Sequence, residues 1–167
     1  DLESGFLLRK FCHEAAVFSI AFSQDGKSCW SGGYDMNLRQ WECSTSRTLK
    51  SIHCDLEAQA SSFSPNAQFL AVASKTFSLE FTVIIWNTKS YDKVQTLPHS
   101  GRVHAIDFNP SSSALVSSSS DGIRLWEVQT GKLVRTIQQN NIYACCFSSN
   151  SVLAYGGGNE QVAVAKS

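Results

Sequence analysis

No apolar run in this sequence approaches the roughly 20 residues that a membrane-spanning helix needs, so it offers no sign of a membrane anchor. Charge of one sign is missing too: 14 Lys and Arg face 14 Asp and Glu. Without clustered positive charge, a general nucleic-acid-binding role is disfavoured, because such binding draws its affinity from neutralising phosphates. The six cysteines, at 12, 29, 43, 54, 145 and 146, contain no CxxC pair and no zinc-ligand spacing. Their scatter reads as buried thiols in a reducing compartment, which predicts an intracellular protein, cytoplasmic or nuclear; the even count leaves disulfides open. His99 and His104 flank Arg102 with no Cys or acid at ligand spacing, so no metal is expected. Gly156, Gly157 and Gly158 lack the following Lys-Ser or Lys-Thr of a phosphate loop and read as a strand end with its turn; no cofactor is expected. Helical spacing is absent over any useful length. Because Asp1 rather than Met stands first, the missing leader excludes nothing.

What the sequence does have is a period of about forty residues. Trp41, Trp86 and Trp126 close three successive units, and Phe22, Phe63, Phe108 and Phe147 stand early in four. Within the first unit Val17, Ile20 and Phe22 alternate with smaller or polar residues. A turn follows at 23–26, then a run ending in Ser31 to Gly33, then Leu38 to Trp41. The third unit repeats the order with Val103, Ile106 and Phe108, a turn at 109–112, Ala114 to Ser119, and Ile123 to Trp126. A fourth run, Lys132 to Ile137, follows the turn at 129–131. Short alternating runs parted by turn residues are antiparallel strands, so the chain is predicted to be all β with four strands per unit. At 167 residues and 43% apolar side chains it fits one domain.

These residues carry a resemblance. His13, Val17, Ile20, Phe22, Ser31, Asp35 and Trp41 follow the order and spacing of the WD40 repeat, one blade of a β-propeller, and so do His99, Val103, Ile106, Phe108, Ser117, Asp121 and Trp126. The third unit has one residue fewer between Asp121 and Trp126. The second keeps Phe63, Ser64, Pro65 and Trp86, but His53 sits one position early and extra residues near 76–81 replace the Asp. In the fourth, Ile142, Cys145 and Phe147 hold the register, while Gln138, Tyr155, Asn159 and Ala165 stand where His, Ser, Asp and Trp would be. The second and fourth units are therefore expected to be the looser ones. The approximate units are 12–52, 53–97, 98–137 and 138–167. The segment 6–11 resembles a fourth strand with no preceding tryptophan, and the resemblance implies that it completes the last blade, hiding two sheet edges. Three arrangements stay open: a closed four-bladed ring, a segment of a larger propeller, or an open half that pairs with another half. The last two are preferred, since blades made for a wide ring wedge more steeply in a narrow one.

His13, Ser31 and Asp35, with His99, Ser117 and Asp121, are also the ingredients of a hydrolase triad, which geometry rather than composition defines. The resemblance implies instead that His, Ser, Asp and Trp form a buried hydrogen-bonded chain in each complete blade, with no catalytic residue among them. It further places partner-contacting side chains at the start of the first core strand and just before the turn Asp. Those positions are Ala16, Phe18 and Tyr34, then Glu57, Gln59 and Lys75, then Arg102, His104 and Ser120, then Asn141, Tyr143 and Gly158. Phe18, Tyr34, Arg102, His104 and Tyr143 make an aromatic and basic set suited to a protein or peptide partner. The expected function is a noncatalytic interaction scaffold, alone or seated in a larger assembly. One alternative is the substrate-recognition subunit of a ubiquitin ligase, although no Arg stands two residues after the dipeptides Trp41-Glu42, Trp86-Asn87 or Trp126-Glu127. The other is an enzyme using His and Asp at the propeller face. It needs an accessible His of perturbed pKa, whereas the scaffold needs both His13 and His99 buried and bonded.

Overall fold

The computed structural model describes residues 7, 9–23, 25–53, 56–76, 80–158 and 162–166. Among them every regular element is a strand, and none is a helix long and apolar enough to cross a membrane. The first sheet is an antiparallel meander of β1 (Val17–Phe22), β2 (Ser28–Gly33), β3 (Asn37–Glu42) and β4 (Thr48–His53). The second runs β5 (Leu56–Phe63), β6 (Phe69–Thr76), β7 (Phe81–Asn87) and β8 (Lys93–His99). The third runs β9 (Val103–Phe108), β10 (Ala114–Ser119), β11 (Gly122–Glu127) and β12 (Leu133–Ile137). The fourth has β13 (Ile142–Phe147), β14 (Val152–Gly157) and β15 (Val162–Lys166). Of the expected strand 6–11, positions 6 and 8 lie outside the described residues, and Leu7 and 9–11 carry no strand. Phe11 packs on Trp41 instead, and Arg9 Nε donates to the Ser44 carbonyl, so this segment lies against the first sheet.

Two turns recur among the described residues, the first in all four units and the second in three, and both share a strained position. Between the first and second strands, Gly26, Ala67, Ser112 and Ser151 all take left-handed φ values of 65, 57, 60 and 58°. Only the first is glycine. In the turn after the tryptophan strand, Ser46, Tyr91 and Gly131 do the same at 63, 64 and 69°. A side chain there crowds its own carbonyl, a penalty that glycine avoids. The chain tolerates it because the turn is fixed from both sides. At Ala67, its own N–H bonds to the Ser64 carbonyl, and the Asn66 N–H crosses to Ser112 Oγ of the third unit.

The core lies between sheets rather than within them. β1 packs on β5, β5 on β9 and β9 on β13, so the four sheets stand side by side in an arc. At the second junction Val103, Ile106 and Phe108 meet Ala71, Ala73, Val83 and Ile85. At the first, Trp30 and Leu38 meet Ala58, Leu70, Val72, Ile84 and Trp86. Trp30 is part of this core. The strand register of the fourth unit buries Cys145 and exposes Cys146, which puts adjacent thiols on opposite faces. All five described cysteines are free thiols, and burial pushes the Cys145 thiol up to about 12.

The second unit corrects the expectation that it would be loose. Leu70, Ala71, Ala73, Val83, Ile85 and Leu97 are almost wholly excluded from solvent, because this unit has neighbours on both sides. The serine of its neighbours is replaced by an apolar residue: Val72 occupies the place of Ser31 and Ser117, two residues beyond the position that pairs with the strand-end Phe. The turn strain gives a direct check. Ala67→Gly should raise the unfolding free energy by about 1 kcal/mol, seen as a higher urea midpoint with unchanged slope. A lower midpoint would show that Ala67 is not strained.

Candidate functional site

In the first unit four side chains meet in one buried chain of bonds. His13 Nδ1 lies 2.8 Å from Asp35 Oδ2, His13 Nε2 lies 2.6 Å from Ser31 Oγ, and Trp41 Nε1 donates to Ser31 Oγ at 2.7 Å. With the indole donating into Ser31 Oγ and Asp35 accepting from Nδ1–H, the serine hydroxyl is left to donate to Nε2. Arg39 Nη1 closes on the same carboxylate oxygen at 2.6 Å. Burial alone would raise the Asp35 carboxyl, but bonds from His13 and the Asn37 N–H, with the charge of Arg39, hold it below its ordinary value. A serine committed on both sides and buried is a structural tie rather than a nucleophile.

The third unit keeps three members and loses the fourth. His99 Nε2 sits 2.7 Å from Ser117 Oγ, and Trp126 Nε1 donates to that oxygen at 2.9 Å. His99 Nδ1 is 3.0 Å from the Leu97 carbonyl, to which it donates, and Asp121 is not its partner. Asp121 instead takes both Arg124 nitrogens, at 3.2 and 2.7 Å, and the Ser119 hydroxyl. This corrects the expected His99, Ser117, Asp121, Trp126 tetrad. The cause is the shorter turn: Met36, in a left-handed conformation with φ 56°, separates Asp35 from β3, whereas β11 begins at Gly122 directly after Asp121. Burial works against the Asp121 charge, yet the Arg124 and Ser119 bonds outweigh it and bring the carboxyl down to about 2.

A separate set of side chains gathers at one end of the strands. In every sheet the innermost strand carries a β-bulge at the same place, between Val17 and Ser19, Ala58 and Ala60, Val103 and Ala105, and Ile142 and Ala144. The extra residues are Phe18, Gln59, His104 and Tyr143. A bulge re-aims a side chain out of the sheet's alternation, and here it does so at one expected contact position in each unit. Just before the bulge, the carbonyls of Ala16, Arg102 and Asn141 accept the N–H groups of Tyr34, Ser120 and Gly158 at 3.0, 3.1 and 2.9 Å. Close approach of the two segments explains Gly33, where a Cβ would lie 2.0 Å from the Ala16 oxygen. Each expected trio in units one, three and four is thus brought together.

Rings then join across this rim. Phe18 and Tyr34 meet at 4.5 Å with their planes tilted by 47° and both rings about half exposed, and His104 meets Tyr143 of the next unit edge-on at 5.1 Å. Arg102 is exposed beside them; burial first, and then the Arg102 charge, lower the His104 pKa. In the second unit Gln59 takes the bulge with its Oε1 buried and unpartnered, Lys75 is half-buried, and the side chain of Glu57 lies outside the described residues. The pairing of His104 with Tyr143 across units, and the bulge that aims both, were not legible in the residue types. Among the described residues no group of three His, Cys, Asp or Glu side chains could hold a metal ion.

Residues 5–42 and 91–127 match the model of the WD domain, G-beta repeat. The chain carries WD40 repeats in these two stretches. Both matched stretches contain one of the His, Ser, Trp networks, and the unmatched stretches hold Val72 and Tyr155 where a WD40 serine would stand. Among curated relatives, Protein tipD of Dictyostelium discoideum is 28% identical over 154 residues, covering 90% of this chain and 23% of that protein. Nuclear distribution protein nudF 2 of Penicillium rubens is 31% identical over 144 residues, covering 75% of this chain and 31% of its own length. The chain spans between about a quarter and a third of these WD40 relatives.

The buried WD40 histidine has a measurable consequence. Burial drives the His99 pKa down to about 4, against the Leu97 carbonyl bond that favours the charged ring. Between pH 6.5 and 4 the unfolded chain therefore binds a proton that the folded chain does not, and stability falls as pH falls through that window. The loss should total roughly 3 kcal/mol for this group. Urea unfolding from pH 7 to pH 4.5 should show it, with a shallower slope in His99→Asn; equal slopes would remove His99 as the cause.

Proposed function

We propose that this chain is a noncatalytic protein-interaction scaffold that grips a peptide or protein segment on the bulged rim. The observation that carries the reading is the repeated bulge, which turns Phe18, His104 and Tyr143 to one end and lets them pair as Phe18 with Tyr34 and His104 with Tyr143. Rigid, half-exposed aromatic side chains with an arginine beside them are the groups that anchor partners most strongly, because they bury large area at small cost in rotamer freedom. Arg102 suits a segment carrying a carboxylate near its apolar anchor.

The chemistry of the interior supports the noncatalytic part. An enzyme working through the repeated His and Asp would need a reachable histidine, yet the side chains of His13 and His99 are buried and each is bonded at both ring nitrogens. Balanced charge supports a protein partner over nucleic acid.

Phe18→Ala, Tyr34→Ala and Arg102→Ala combined should weaken capture of partners from the native source at least tenfold, since anchors of this type each contribute more than about 1 kcal/mol. Thermal unfolding should stay unchanged, as these side chains are exposed. A partner set recovered undiminished by the triple variant would rule the rim out.

A further inference from the structure

The junction of the first and second units is built differently from that of the second and third. Counted from the strand-end phenylalanine, Ser28 and Trp30 of the first unit stand where Phe69 and Ala71 stand in the second. Gln40 pairs with Trp30 as Ile85 pairs with Ala71. Phe69, Ala71 and Ile85 pack into the apolar junction with the third unit. There the Asn66 N–H ties the two units together by crossing to Ser112 Oγ at 3.0 Å. At the first junction Asp25 takes the place of Asn66, and Ala67, which has no hydroxyl, takes that of Ser112.

What results is a cleft of about 300 Å³ between the two units, lined by Asp25, Ser28, Trp30, Gln40, Phe63 and Ala67 among others. It lies at the end of the strands opposite to the rim, since Asp25 follows the last residue of β1 and Phe18 stands near its first. Both walls belong to sheets that pack on each other inside the arc.

Most donors around the cleft are spent, and acceptors remain. The Ser23 hydroxyl goes to Asp25 Oδ1 at 2.7 Å, and Gln40 Nε2 goes to Ser28 Oγ at 3.1 Å. Gln40 Oε1 keeps only a long contact of 3.4 Å with the Tyr91 hydroxyl. Asp25 is exposed, and the Ser23 bond first, then the Lys27 N–H, hold its carboxyl below the ordinary value. It forms no ion pair among the described residues. Lys27 acts on it through charge, and Lys50 is held 4.8 Å over the Tyr91 ring. The one donor left over is the Trp30 indole N–H, which is buried without an acceptor among the described residues.

We propose that this cleft binds an arginine side chain of a partner peptide, the guanidinium on Asp25 and Gln40 Oε1 and the stem against Trp30 and Phe63. Arginine fits better than lysine: its planar fork of donors can serve a carboxylate and an amide oxygen together while its plane lies on an aromatic ring. A peptide also brings a backbone carbonyl beside that side chain, the kind of group that the Trp30 N–H lacks.

The peptide acetyl-Gly-Gly-Arg-Gly-Gly-amide, titrated into the isotope-labelled chain, tests this against the same peptide with citrulline, which keeps the shape and loses the charge. One of the four indole N–H signals, the one missing from Trp30→Phe, should shift and saturate with the arginine peptide. Citrulline, or Asp25→Asn in the protein, should weaken binding about fivefold. Ala67→Ser should abolish it, because the new hydroxyl can take the Asp25 N–H as Ser112 takes that of Asn66 and draw the cleft shut. Serine fits there, since Ser112 has nearly the φ of Ala67, 60 against 57°. Binding should survive Phe18→Ala, Tyr34→Ala and Arg102→Ala combined, which separates this site from the rim. A Trp30 signal unmoved at millimolar peptide, citrulline bound as tightly as arginine, or binding lost in the rim variant would overturn the inference. The citrulline comparison decides without relying on any variant to fold.

Discussion

Everything in this structure depends on sheets covering one another. A three- or four-stranded sheet with two apolar faces cannot stand alone in water, and each unit here has such faces. At the central junction Val103, Ile106 and Phe108 close over Ala71, Val83 and Ile85, and small alanines on one side accept large side chains on the other. The hydrogen bonds between units are few by comparison, and they sit at the edges of this contact. Asp107 on β9 is one example, taking the Phe147 N–H at 2.8 Å from the fourth unit and the Ser62 hydroxyl at 3.4 Å from the second.

The buried polar chains belong to a second level of organisation. In the first and third units a serine is held between an indole and an imidazole, and each bond satisfies a group whose burial would otherwise be costly. The second unit puts Val72 at that position and is among the best-packed parts of the molecule. Both arrangements fill the same space, and a repeat can exchange one for the other when its neighbours supply enough apolar surface.

The strand order and the period were readable from the tryptophans and phenylalanines, because alternation and turn chemistry are local. The complete network of the first unit was readable for the same reason, once the repeat was recognised. Asp121 was not, since its partner depends on where a turn one residue shorter leaves the carboxylate. Trp30 followed its strand into a junction that exists only when the next unit is in place. The tightness of the second unit came from having two neighbours, which its own residues do not reveal. The rim positions followed from the resemblance, and the bulges that orient them became visible only in the pairing of strands.

Those bulges separate what a position contributes to folding from what it offers to solvent. Along an ordinary strand every second side chain is committed to a neighbour's surface, so changing it disturbs the core. The extra residue in each innermost strand is released from that count, and the four units place Phe, Gln, His and Tyr there on one shared backbone. Such a site can change its chemistry unit by unit while the sheet beneath it stays the same. The arc is in effect a rack with interchangeable heads.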